Sequence, residues 1–348
     1  MDLYRIFKPV IFISRVFCLA PFAAVEHSGS TRYQYSTIWL LYSILGVCAS
    51  FISQLSVFCI PLSISDAALY VYNTFSEVAI AATCVASVVT QVLCLSNGKN
   101  VIRILDHVSV LDSEHSGARI SYYRLYKVFI LHLIYSIISF VAPNIMWFAA
   151  LDTNSVYILK IVHYTTVYFI CYVVLLLSDT QFIHFVLLLK YRFSVLNDTL
   201  INFTLPSLYI TSVNHMNIAP AVDRSANSST SAVSSSITVL KSTLRNVCRQ
   251  HDALCNISEF VNRTYSFQIF LSVTVTCIGV LYLAYSCSAE LSRSMNLFSS
   301  KQIFFMSILV GVFVVSAKVV QLVVVCNRAS NEVSGLLLWC PYFYFLNT

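Results

Sequence analysis

Six apolar runs, each near the ~20 residues a helix needs to cross a bilayer, restrict what this chain can fold into more than any other feature. They lie at about Thr37–Phe58, Phe75–Leu95, Val128–Leu151, Ile161–Leu189, Tyr265–Ser286 and Ile303–Val325. Lipid offers no partner for backbone N–H and C=O groups, so runs of this length are read as helices. The rest of the chain does not support a soluble alternative. Only 10% of residues are charged and 58% are hydrophobic, where a soluble domain carries roughly a quarter charged. The expected fold is an all-α membrane protein, a multi-pass helical bundle whose first partner is the lipid bilayer.

Lysine and arginine set the direction of the spans. The segments 1–36, 96–127, 190–264 and 326–348 hold 17 of them, and 59–74, 152–160 and 287–302 hold 3. Basic residues collect on the cytoplasmic side, so the amino terminus is expected there. A rhodopsin-like receptor has the reverse orientation. Five Asn-x-Ser/Thr sequons, at Asn197, Asn202, Asn227, Asn256 and Asn262, pull the other way, because such sequons are used on the lumenal side. The short loops agree with the charge count and decide in its favour. The resulting organisation is a cytoplasmic segment over 1–36, four spans over 37–189, a cytoplasmic loop over 190–264, two spans over 265–325 and a cytoplasmic helix over 326–348. Within the loop, the Ser-rich patch Ser225–Ser236 reads as a disordered insert. After it Leu240, Leu244, Val247, His251, Leu254 and Ile257 recur at helical spacing, making an amphipathic helix. Val101, Leu105, Val108 and Leu111 form a second such stripe in the 96–127 connector.

The fourth run is too long for one crossing. Its lower end, with Asp179, Gln181 and His184, either projects below the membrane as a continuous helix or belongs to a tilted helix with these groups buried against neighbours. Lys318 lies inside the last run and is placed to snorkel toward the cytoplasm.

Several function classes find no support. There is no Gly-rich phosphate loop and no paired carboxylate or Ser-His-Asp arrangement, so neither an enzyme nor a cofactor is expected. Twelve cysteines are scattered without a Cys-x-x-Cys pair, which is neither a disulfide scaffold nor a zinc site. His251 lacks a second ligand at useful spacing, so no metal is expected. The net charge of +6 follows from loop placement and gives no case for nucleic acid. A transporter would be expected to show internal repeats or broken spans with central charges, and here Lys318 is the only lysine or arginine within a span. The run Val10–Val25 is broken by Arg15 and Pro21, unlike a signal peptide.

The stretch Leu187–Asn197, leucines followed by Arg192-Phe193 and then Leu196-Asn197, resembles the foot of the fourth helix in insect chemoreceptors, the gustatory receptors in particular. So do Phe7-Lys8-Pro9, Arg15-Val16-Phe17 and Pro21-Phe22 near the amino end, although Cys18-Leu19-Ala20 stands where a glycine is common. Leu244-Arg245, His251-Asp252-Ala253-Leu254-Cys255, Val261-Asn262 and Tyr265-Ser266-Phe267 extend the similarity. Cys326-Asn327-Arg328-Ala329, Asn331-Glu332 and Leu336-Leu337-Leu338 resemble the cytoplasmic half of the family's seventh helix. The resemblance implies a gustatory receptor of the plasma membrane: a ligand-gated cation channel subunit, homo- or hetero-tetrameric with other receptor subunits, detecting a small-molecule tastant. An odorant receptor of the same superfamily and a seven-helix G-protein-coupled receptor are the alternatives. The family's pore-lining last span, with its Thr-Tyr and Gln-Phe signature, is not found before Thr348. The expectation is six full spans of seven, the chain being truncated before the last.

With this orientation the outer halves of the spans hold Trp147, His163, Tyr164, Tyr168, Tyr282 and Tyr285. Tyr164 and Tyr168 share a helix face, as do Tyr282 and Tyr285. A tyrosine offers an apolar ring with one hydroxyl, suited to a tastant. The same residues also suit an aromatic belt at the lipid headgroups.

Overall fold

The computed structural model describes residues 3–27, 30–59, 67–114, 158–216, 226–293 and 300–337, with most of 123–138. Near several helix ends the backbone alone is described. The elements are α1 (Leu3–Val16), β1 (Phe22–His27), β2 (Ser30–Tyr35), α2 (Thr37–Cys59), α3 (Ala67–Glu114), α4 (Leu125–Tyr135), α5 (Ile158–Met216), α6 (Ala226–Arg293) and α7 (Ser300–Leu337). The chain divides into two compact units. One comprises Met1–Phe185 and Val261–Val324, the other Val186–Phe260 and Val325–Thr348.

Five helices among the described residues hold stretches long and apolar enough to cross a membrane: Thr37–Ser56, Glu77–Leu111, Thr166–Asn202, Lys241–Tyr285 and Leu309–Ser334. Their outward side chains explain why water is the wrong solvent. On α2, Ile38, Leu41, Leu45 and Ile52 are exposed, as are Phe270 and Leu281 on α6 and Phe313 and Val320 on α7. Apolar patches this extensive are not left open on soluble monomers. The third expected span, 128–151, falls mostly outside the described residues, and α4 is its start.

The first unit is organised around α5. Every residue from Leu177 to Phe185 is buried, on all sides of the helix, as expected of a helix enclosed by others. Asp179, Gln181 and His184 are therefore packed against neighbours, in a helix that also continues without a break to Met216.

The amino-terminal segment is more structured than its composition implies. Leu3, Tyr4, Ile6, Phe7, Val10 and Ile11 bury one face of α1, at the spacing of an amphipathic helix. The helix stops where Leu19 N–H bonds to Ser14 O (2.7 Å) and Cys18 N–H to Arg15 O (2.9 Å). This pair of bonds requires a left-handed residue at the turn, usually glycine. Cys18 takes that conformation, at φ 63°. Its Sγ packs so closely on Gly46 of α2 that a Cβ there would collide with it.

The antiparallel hairpin β1–β2, pairing Phe22 with Tyr35 and Val25 with Arg32, is an addition to the all-helical expectation. A lone hairpin is marginal in water, and this one is pinned by aromatic side chains. The buried Tyr33 ring lies 5.7 Å from Tyr4 and 5.7 Å from Phe22. Its hydroxyl donates to Tyr4 O (3.1 Å), while Tyr4 donates to Asp106 Oδ1 on α3 (2.7 Å). Burial pushes both phenols up to about 12, so they remain hydroxyl donors at any ordinary pH.

Helix α3 does not end at the expected connector. It continues through it, and Leu105 and Val108 are buried, because the apolar stripe runs on past Leu95. The same holds for α5, which passes Lys190 without a break. Leu188, Leu189, Phe193, Leu196 and Leu200 are buried there in the second unit. On α6 of that unit Val247, Leu254 and Ile257 are buried, and His251 packs edge-on against Phe193 at 5.8 Å. Asn197 Nδ2 donates to Glu332 O (3.1 Å) on α7. Segment 326–337 is thus the end of α7 itself, the helix that carries the last span. Helix α6 starts at Ala226, inside the Ser-rich patch expected to be disordered. Serine is only a moderately poor helix former, and the amphipathic helix extends backward through it. The expectation about a further span concerns the chain beyond Leu337, outside the described residues.

Candidate functional site

The interior of the first unit is polar where α5 meets its neighbours. Lys318 Nζ on α7 lies 2.5 Å from Asp179 Oδ2 and donates to Ser272 Oγ of α6 at 2.9 Å. Ser272 donates in turn to the same Asp179 oxygen at 2.7 Å. The side chains of Lys318 and Asp179 are only 15% and 5% exposed. A lone charge at this position would cost several kcal/mol, and each ion offsets part of that cost for the other. The ammonium also sits over the Tyr172 ring, 5.5 Å from its centroid, where the ring's negative face attracts it. The expected snorkelling of Lys318 is corrected. A carboxylate within reach, held by a serine, is a better partner than distant headgroups. Asp179 Oδ1 has no hydrogen-bond partner among the described residues.

Other polar groups of α5 reach further helices. Ser178 donates to Gln268 Oε1 (3.2 Å), and Gln268 Nε2 donates to Cys94 Sγ (3.5 Å) on α3. Gln181 Nε2 donates to Ser14 Oγ on α1 (2.7 Å) and its Oε1 accepts from Tyr265 (3.3 Å). The His184 ring stacks on Phe129 of α4 at 3.9 Å, nearly parallel. Ionisable groups at membrane depth face the bundle interior and mark functional sites. This seam joins α5 to α1, α3, α4, α6 and α7.

The residues expected to meet a ligand are placed as follows. Trp147 lies outside the described residues. Tyr164 is in α5, with only its backbone described. His163 is half-buried, with Nε2 2.9 Å from Ser56 Oγ on α2. Since Ser56 gives its own proton to Ser53 O (2.6 Å), the imidazole fits as the donor. Tyr168 is half-buried and its ring lies 6.5 Å from Tyr172. Tyr282 and Tyr285 are half-buried on α6. The structure thus links Tyr168, through Tyr172, to the ion pair. Tyr164, Tyr168, Tyr172 and Asp179 follow one another at spacings of four, four and seven on one face of α5. Tyr172 was not singled out by sequence reasoning, although its place four residues after Tyr168 continues the stripe.

Residues 7–338 match the profile of the 7tm Chemosensory receptor family. The chain belongs to that family. Among solved structures, the fold of this chemosensory receptor is similar to that of the insect olfactory receptor OR5 from Machilis hrabei, determined in complex with eugenol. The TM-score is 0.54 at 15% identity, covering 99% of this chain and 98% of that one. No curated protein matches the sequence. The chemosensory receptor is therefore a helical membrane protein of the insect chemoreceptor fold. The G-protein-coupled alternative does not fit it.

Proposed function

We propose that this chemosensory receptor is a gustatory receptor: a subunit of a ligand-gated cation channel in the plasma membrane that detects a small-molecule tastant. The observation that carries the reading is the family match over residues 7–338. The gustatory wording at Leu187–Asn197, His251–Cys255 and Tyr265–Phe267 favours taste over smell. OR5 was solved with eugenol, and its likeness in fold supports a small-molecule ligand while fitting an odorant receptor equally well. The receptor assembles as a homo- or hetero-tetramer with other subunits, acts without catalysis and keeps its amino terminus in the cytoplasm. The charge distribution supports that orientation. The sequons do not oppose it, since all five asparagines lie within α5 or α6 and sequon use calls for a surface loop.

The tastant binds in the outer half of the bundle, among Trp147, His163, Tyr164, Tyr168, Tyr282 and Tyr285. Recording ligand dose–response curves for Tyr168→Ala and Tyr282→Ala tests this. The expected result is a shift in half-maximal concentration of about tenfold, as for loss of ~1.4 kcal/mol of contact, at unchanged surface expression. No shift in either variant assigns these tyrosines to the lipid interface instead.

A further inference from the structure

Cys84 on α3 and Cys171 on α5 meet inside the first unit, with their sulfurs 3.8 Å apart. Both are buried, 2% and 1% exposed, in a small apolar cluster with Val167 that Ile80 packs against. A metal does not explain the pair. No group of three or more His, Cys, Asp or Glu among the described residues is placed to hold one. What the geometry offers instead is a second thiol beside the first. Gln54 Nε2 on α2 lies 3.1 Å from Cys171 Sγ and donates to it, and the same nitrogen is 3.1 Å from Ser50 Oγ. That N–H is the polar contact a thiolate at Cys171 would have, and the thiolate is the reactive form of cysteine.

We propose that Cys84 and Cys171 form a redox-modification site, at which a small neutral peroxide converts two thiols into a disulfide tying α3 to α5. In the first step one sulfur, as its thiolate, attacks a peroxide oxygen. The O–O bond breaks, a sulfenic acid forms and water leaves once a proton is taken up. In the second step the other thiol attacks the sulfenic sulfur. The S–O bond breaks, the S–S bond forms and a second water leaves. The two thiols together lose two electrons and two protons, and the peroxide is reduced to two waters. The sulfurs must close from 3.8 Å to about 2 Å. An uncharged oxidant enters the apolar surroundings without the cost of burying an ion. Cys171 lies between Tyr168 and Tyr172 on α5, so the bond restrains the helix turn that leads to the ion pair.

The test is peptide mapping of the purified full chain in lipid nanodiscs after treatment with hydrogen peroxide. Remaining thiols are blocked with N-ethylmaleimide on denaturation. The expected product is a peptide pair linked through Cys84 and Cys171 as the main disulfide within one chain, returned to free thiols by dithiothreitol. In Cys84→Ala, Cys171 is expected to appear without a disulfide partner. The proposal is overturned if both residues are recovered as maleimide adducts while the exposed Cys48, Cys277 or Cys326 has been oxidised. It is equally overturned if Cys171 of Cys84→Ala links to another cysteine in the same yield. Mapping the unmutated chain keeps the outcome decisive even if the variant folds poorly.

Discussion

At the scale of single residues, buried charge and close packing make sharp demands. Removing Lys318 leaves the buried Asp179 carboxyl short of its strongest partner. Breaking a buried pair on one side costs about 3–5 kcal/mol, whereas replacing both members with apolar residues is often neutral. Lys318→Ala should therefore lower the thermal stability of the purified receptor well below that of the unmutated protein. Lys318→Met with Asp179→Leu should recover most of the loss, and a double variant no better than the single would contradict the reading. The contact of Cys18 with Gly46 makes a second demand. A methyl group at Gly46 would collide with Cys18 Sγ, so Gly46→Ala should destabilise by ~1–3 kcal/mol, the usual cost of overpacking. Cys18→Gly removes the obstructing sulfur and suits the left-handed turn. The double variant should therefore melt above Gly46→Ala alone, as a double-mutant cycle would read. Neither contact was legible beforehand. Asp179 and Lys318 each stood out as polar residues inside apolar runs, but their meeting depends on how three helices are rotated, which periodicity does not encode. The Cys84–Cys171 contact is hidden for the same reason.

At the scale of elements, the sequence was most legible where one local property decides. Helix α2, Thr37–Cys59, agrees with the expected Thr37–Phe58, because a bilayer-length apolar run needs no tertiary information. Ends were less legible. Helices α3, α5 and α6 each run beyond their apolar stretch, because amphipathic stripes of period near 3.6 take over where the hydrophobic runs stop. Hairpin β1–β2 was missed, because Phe22-Ala23-Ala24-Val25 shows little polar alternation and Tyr33 acts through aromatic and hydrogen-bonded contacts with distant residues. The helical setting of the sequons carries its own prediction. Asn256 and Asn262 are exposed on α6, yet helical and on the proposed cytoplasmic side. Glycosidase treatment of receptor from insect cells should leave its electrophoretic mobility unchanged. A mobility shift that disappears in Asn256→Gln with Asn262→Gln would reverse the orientation.

At the scale of the whole molecule, class and family were legible from the distribution of apolar residues and a few short stretches of wording, and the family match agrees with both. The candidate ligand residues were legible only as aromatic positions on the outer halves of helices, since a pocket is a relation between helices. The central proposal is that this receptor gates cations directly on binding a tastant. Whole-cell recording tests it most directly, in cells expressing the receptor together with other subunits of its family and exposed to sugars, bitter alkaloids and carbon dioxide, with a non-hydrolysable GDP analogue in the pipette to block G proteins. The account predicts a ligand-evoked cation current that requires this chain and is undiminished by the analogue. A response that the analogue abolishes, or no current to any ligand in cells where surface labelling finds the receptor, would contradict it.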